Sequence, residues 1–222
     1  MLPGTGEDTP RLPVGLLLFI VIAIPLIVVA ISTTVYIRNG REKGAWTPRP
    51  GWRGVRQVSI GGVTELFVTH AGATESKSNA GWFGLTFTDT STLEVTASRD
   101  YDVLSAPWRL GTGTVAAGGH RWHGVRVRYA TSPIRRVGGN ATVETGGYYS
   151  GDKTTVSGAL SLLPIEPLLV ELIYSRNQIQ LPLAPVYRTH TVSTRVSYSF
   201  SPTLFAKAFV QYNSDRRLAS LE

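Results

Sequence analysis

The chain has 222 residues, no cysteine and a formal net charge of +7. The absence of cysteine excludes disulfides, thiolate catalysis and Cys-ligated zinc. Charged residues make up 17% and hydrophobic residues 42%, against about 25% charged in an ordinary soluble domain, a balance that leans toward membrane. The basic excess would suit nucleic acid or anionic lipid. No helix-turn-helix, zinc-finger or RNP-like pattern accompanies it, so no nucleic-acid partner is expected.

Residues Val14 to Ile37, VGLLLFIVIAIPLIVVAISTTVYI, follow a 13-residue tail and carry no charged side chain. A helix over them would cover about 36 Å, more than the roughly 30 Å hydrocarbon core of a bilayer. The expectation is a transmembrane helix over 14–37, with Pro25 tolerated as such helices allow. Arg38, Arg41, Lys43, Arg49, Arg53 and Arg56 lie behind it, which places the N-terminus outside and the rest of the chain in the cytoplasm. The rival reading is a secretory signal peptide with Leu16 to Val29 as its apolar region and Ala30-Ile31-Ser32 as the cleavage site. Residues 38–54, rich in Gly, Pro, Trp and basic residues, read as a linker whose Trp46 and Trp52 suit a membrane interface.

From Val55 onward the chain alternates with period two and shows no amphipathic helix. After the Val55 to His70 segment, Phe83, Leu85 and Phe87 share one face. Leu93, Val95 and Ala97 alternate with Glu94, Thr96 and Ser98; Val125, Val127 and Tyr129 alternate with Arg126 and Arg128. Similar alternation runs through Asn140 to Glu144, Val156 to Leu162, Leu168 to Ser175, Val192 to Phe200 and Leu204 to Tyr212. Turn formers such as Asp89-Thr90-Ser91, Gly151-Asp152-Lys153 and Ser201-Pro202 separate these runs. The pattern predicts an all-β, antiparallel up-and-down meander of about nine strands over 55–222.

Period-two alternation admits two solvents. In a soluble sandwich the apolar faces form the core and the polar faces meet water. In a transmembrane barrel the apolar faces meet lipid, and Glu94, Arg126, Arg128, Glu144, Glu171, Arg195 and Lys207 line the lumen. The stretches Thr189 to Phe200 and Leu204 to Asn213 approach the ~9–11 residues that cross a membrane at a tilt. Tyr129, Tyr148, Tyr149, Tyr174, Tyr198 and Tyr212 sit near predicted strand ends, as interfacial aromatics do.

Chemistry-bearing motifs are weak. His120 and His123 in HRWH fall on opposite faces of a strand and cannot share one ion without a bend. Gly111-Thr112-Gly113 lacks the strand-turn-helix setting of a dinucleotide fingerprint and reads as a glycine-rich loop. The serine of Gly147-Tyr148-Tyr149-Ser150-Gly151 falls one place late for a nucleophile elbow. Glu94, Glu144 and Glu171, interspersed with Arg126, Arg128, Arg195 and Lys207, read as an ion-pair lattice and not as a catalytic pair. No catalytic residue, metal site or cofactor is expected.

Five segments, RPGWRGVR (49–56), GWFGLTF (81–87), RDYDVLSAPW (99–108), GGYYSGDKTT (146–155) and LFAKAFVQYNSDRRLASL (204–221), together resemble the C-terminal region of the bacterial domain-of-unknown-function family 5916. The resemblance covers residues 49–222 and implies an outer-membrane β-barrel. The carbohydrate-binding module that often precedes that barrel has no counterpart here. About nine strands make an odd set, so a fragment of a larger barrel or a β-domain that needs a partner is expected.

These readings converge on a non-enzymatic membrane barrel segment with a pore, transport or scaffold role, and with the lipid bilayer as partner. The alternative is a single-pass accessory subunit of an inner-membrane complex, its β-domain packing on other subunits.

Overall fold

The computed structural model describes residues 40–221 except Ala71, Thr112, Pro133, Ile134, Pro202 and 215–217. The apolar run Val14 to Ile37 lies outside the described residues, and with it both the helix and the signal-peptide readings. Among the described residues no helix is long and apolar enough to cross a membrane.

The structure is an antiparallel meander. Its strands are β1 (Gly40–Trp46), β2 (Val55–Val68), β3 (Thr74–Phe87), β4 (Thr92–Leu104), β5 (Trp108–Leu110), β6 (Gly113–Val115), β7 (Gly118–Ala130), β8 (Val137–Tyr148), β9 (Gly151–Ile165), β10 (Leu168–Gln180), β11 (Tyr187–Ser201), β12 (Leu204–Asn213) and β13 (Leu218–Leu221). Eleven of them form one sheet in the order β1-β2-β3-β4-β7-β8-β9-β10-β11-β12-β13, and β5 and β6 form a separate hairpin. Among the described residues β1 and β13 are the two outer strands.

The expected meander is therefore present with more strands than the alternation announced. Residues 40–46, inside the expected linker, form β1 by pairing Gly44 with Gly62 and Ala45 with Gly61 of β2. Backbone bonds from Val58 to the Pro48 carbonyl (2.9 Å) and from Thr88 to the Gly54 carbonyl (3.0 Å) fasten the connection that follows.

Pairing register assigns every side chain to a face, because alternate residues point to opposite sides. One face carries Phe83, Leu85, Val95, Val127, Val143, Val156, Leu172 and Val196, so it is the apolar face. Over β2 to β4 it holds a core of Val58, Phe83 and Leu85, joined by Val55, Ile60, Phe87 and Leu93. Over β7 to β12 the same face is open: Val127 is 40% exposed and Val143 45%. The order seen in soluble sheets is inverted here. In β9, Lys153, Thr155, Ser157 and Ser161 of the polar face are half-buried while Val156 and Leu160 of the apolar face are exposed. Ser193, also on the polar face, is buried.

The two ends of the sheet differ. At one end β3–β4, β9–β10 and β11–β12 are joined by short turns and β1–β2 and β7–β8 by longer segments; at the other β8–β9 is a tight turn while the β4–β7 and β10–β11 connections are longer. Asp89 closes the β3–β4 turn: its Oδ1 accepts from the Ser91 amide at 3.0 Å and from the Ser91 hydroxyl at 2.6 Å. Its Oδ2 takes Arg135 at 2.7 Å, and the Thr90 and Ser132 hydroxyls meet at 2.6 Å. The turn is thereby bound to the β7–β8 connection.

Candidate functional site

The register brings all seven predicted lumen charges onto the polar face. Glu94 stands opposite Arg128, and Arg126 opposite Glu144. Glu171 stands opposite Arg195, and Lys207 opposite Ser197. Arg126 Nε donates to Glu144 Oε2 at 2.8 Å with Nη2 at 2.6 Å; Arg195 Nη1 reaches Glu171 Oε2 at 3.3 Å. Arg195 and Lys207 also lie over the rings of Phe209 (5.7 Å) and Phe205 (5.0 Å), which share their face. Opposite charges on directly paired strand positions favour this register.

A cleft of ≈ 320 Å³ opens on the polar face, bounded by Ser98, Asp100, Trp122, Arg126, Glu144 and Lys153. Asp100 accepts from the Ser78 hydroxyl at 2.7 Å and the Ser98 hydroxyl at 2.9 Å. Its charges are thus partnered within the sheet, and the cleft presents hydroxyls, one indole and paired ions to water.

At the end with the longer connections the β5–β6 hairpin folds onto the polar face. Val115 is 0% exposed and packs on Ile179 and Leu181 of the β10–β11 region, with Leu104, Leu110, Ala184 and Tyr187 around them. Gly111 has φ +58, and a Cβ there would meet the Tyr187 ring at 2.9 Å. Only glycine allows both the left-handed backbone and this approach. The hairpin leaves the sheet between β4 and β7 and reaches across β8 and β9 to β10 and β11.

Tyr149 ties the hairpin to the strands. It has φ 53 in the tight β8–β9 turn, a conformation that costs a non-glycine residue about 1–3 kcal/mol and needs surrounding contacts to hold it. Those contacts are rings: Trp122 at 4.8 Å, Tyr148 at 5.0 Å, His120 at 5.4 Å and Trp108 of the hairpin at 6.0 Å. Its hydroxyl donates to Asp102 Oδ2 at 2.8 Å. Burial, and next the bond to the Asp102 carboxylate, push its phenol up to about 12.

Tyr148 and Tyr149, expected among interfacial aromatics, therefore belong to this polar-face cluster. Tyr129, Tyr174, Tyr198 and Tyr212 lie on the apolar face. Of the two tryptophans expected at a membrane interface, Trp46 ends β1 opposite Ile60, 65% exposed, and Trp52 lies exposed in the β1–β2 connection. His120 and His123 fall on opposite faces, His120 bonding the Ala116 carbonyl at 2.9 Å. Among the described residues no three His, Asp or Glu side chains gather as a metal site would require. Gly111 and Gly113 flank the tip of the β5–β6 hairpin.

The hairpin and the Tyr149 cluster escape sequence reading because strands of three residues carry no period. The one local signal is the pair of adjacent tyrosines in a glycine-bounded turn. No protein-family model, curated protein or solved structure matches the chain.

Proposed function

We propose that residues 40–221 form part of the wall of a membrane β-barrel of outer-membrane type, with lipid against the exposed apolar face and an aqueous lumen along the polar face. The single observation that carries this reading is the inversion over β7 to β12, where Val127, Val143, Val156 and Leu160 are exposed and the serines and threonines opposite them are sheltered. A water-soluble sheet would bury the former, at about 25 cal/mol per Å² of apolar surface. Strands of 10–15 residues from β7 to β12 meet or exceed the ~9–11 needed to span a bilayer at a tilt. The family-5916 resemblance favours the bacterial outer membrane. The role is passage or scaffolding, without catalysis: the polar face offers two partnered ion pairs, Arg126 with Glu144 and Arg195 with Glu171, among further charges of both signs. In lipid a free sheet edge is untenable, so the reading requires β1 and β13 to be paired there with each other or with further strands.

The buried patch of Val58, Phe83, Leu85, Val95 and Ala97 favours a second reading, a single-pass subunit of an inner-membrane complex whose β-domain packs on protein. One experiment separates the two. The chain has no cysteine, so single cysteines at Val127, Val196, Thr142 and Ser197 can carry an environment-sensitive fluorophore in the full chain reconstituted into vesicles. Quenching of the first two by brominated lipid, and of the last two by aqueous iodide alone, is the expected result. Iodide quenching at all four positions would refute the barrel and favour the subunit.

A further inference from the structure

We infer that the apolar face carries, above its apolar band on β3, β4 and β7, a binding site for the phosphate of an anionic lipid headgroup. The inference rests on the membrane reading and concerns where the face changes character. Rung by rung across the three strands, the register aligns Leu85, Leu93 and Tyr129, then Phe83, Val95 and Val127, then Gly81, Ala97 and Val125. The next two rungs are Asn79, Arg99 and His123, then Lys77, Tyr101 and Arg121. Three apolar or small rungs thus give way at one level to two rungs that bring Lys77, Arg99 and Arg121 together.

The level is the end with the longer connections, where the band of a barrel would leave hydrocarbon and meet headgroups. The same change recurs along the face, at Arg176 and His190 paired across β10 and β11 and at Arg188 one rung beyond. Long cationic side chains at this depth keep their stems on apolar surface and their charges in the headgroup layer.

Lys77, Arg99 and Arg121 border a cleft of ≈ 340 Å³ with Thr74, Asn79, Tyr101 and Asp100; the Asp100 carboxylate belongs to the polar face, where it accepts from the Ser78 and Ser98 hydroxyls. The cleft is built from within. Asn79 is 2% exposed and accepts from the Thr64 hydroxyl at 3.1 Å, and the Arg121 guanidinium lies 5.3 Å over the Tyr101 ring. Neighbouring strands are about 4.8 Å apart, so side chains of this length from three successive strands can reach one tetrahedral anion. Arginine supplies the planar fork that phosphate oxygens match.

On the polar face Arg126 pairs with Glu144 and Arg195 with Glu171, while Arg128 stands opposite Glu94 in register without an ion pair. Among the described residues no carboxylate lies within ion-pairing distance of Lys77, Arg99 or Arg121. Glu75, two residues before Lys77 on the same strand, forms no ion pair with them either. Three unneutralised cations beside an apolar band suit an amphiphile that brings its own negative charge and its own acyl chains.

The test is native mass spectrometry of the full chain in nonionic detergent, with phosphatidylglycerol and phosphatidylcholine supplied together, and separately with millimolar inorganic phosphate added. The wild type should retain phosphatidylglycerol preferentially. R99Q/R121Q should lose that preference by about tenfold or more, given the attraction of each basic residue to an anionic surface, and R99K/R121K, which keeps the charge without the fork, should fall between the two. An unchanged preference in R99Q/R121Q would overturn the site while leaving the membrane reading standing. Displacement of the lipid by inorganic phosphate would assign the cleft to a free anion and overturn the headgroup. Retention of neither lipid by the wild type, with iodide reaching the apolar-face fluorophores, would overturn the barrel itself.

Discussion

Arg126 and Glu144 face each other across β7 and β8 at 2.6 Å, and the residues next to them, Val127 and Val143, form the adjoining rung on the opposite side. One peptide bond separates an ion pair from an exposed apolar pair. Both ions keep substantial solvent exposure, so the pair contributes at most about 1 kcal/mol to stability. Glu144→Gln is therefore expected to leave unfolding nearly unchanged while removing one carboxylate from the polar face, the lumen side of the proposed barrel. In a planar bilayer its reversal potential under a salt gradient should move toward anion preference.

Val127→Arg tests the other side of the same strand. Near the bilayer midplane it should oppose insertion by about 2–4 kcal/mol, read as reduced assembly into vesicles. The same change at Thr142, on the polar face, should be tolerated. On a water-exposed surface both would lie within about 0.5 kcal/mol of wild type, so equal assembly of the two variants would remove the lipid assignment.

Val115→Asp places a charge in the socket of Ile179 and Leu181 and removes the roughly 1.5–3 kcal/mol that burying a valine provides. The sheet ladders do not pass through the hairpin, so its release should leave the strand content seen by circular dichroism intact. Proteolysis between Leu104 and Gly118 should become rapid, and single-channel conductance should rise because the hairpin no longer lies over the polar face.

Tyr149 sets an alkaline limit. Its phenol is pushed up to about 12 from the ordinary 10.0, so between those values the folded chain binds the proton and the unfolded chain does not. Stability is untouched by Tyr149 below the ordinary value and falls as pH rises through that window. Difference ultraviolet titration against Tyr149→Phe should show one phenolate forming late.

Asp89 sets an acid one. Its hydrogen bonds to Ser91, aided by Arg135, hold its carboxyl below the ordinary 3.8. The stabilisation is present above that ordinary value and is lost as pH falls through the lowered one. Asp89→Asn should flatten this part of an acid-unfolding profile, and an unaltered profile would show that the turn bonds carry no such linkage.

Much of this architecture is legible in the chain. Strands such as Val192 to Phe200 announce themselves because the period of two is strict, and the same parity aligns all seven charges from Glu94 to Lys207 once the strands pair. β1 is not legible, because GREKGAW has no alternation and becomes a strand only by pairing with the Gly61-Gly62 step of β2. The Tyr149 cluster is not legible either, since its partners Trp108, His120 and Trp122 come from the hairpin and a neighbouring strand. Arg99 and Arg121 lie far apart in sequence, and only the register of β4 with β7 reveals that they stand on successive rungs.

The reach of the β5–β6 hairpin from β4 to β10 has a kinetic side. Meander pairings join neighbours in sequence and can zip one after another, but the Val115 socket does not exist until β8, β9, β10 and β11 have all registered. Contacts of such long sequence separation form slowly, after the local ones that prepare them. Docking of the hairpin is thus expected to follow the pairing of these strands. A strand that slipped by one residue would turn Ile179 and Tyr187 to the wrong side and leave Val115 nowhere to seat, so the seated hairpin is a proofreading mark on the register of the wall beneath it.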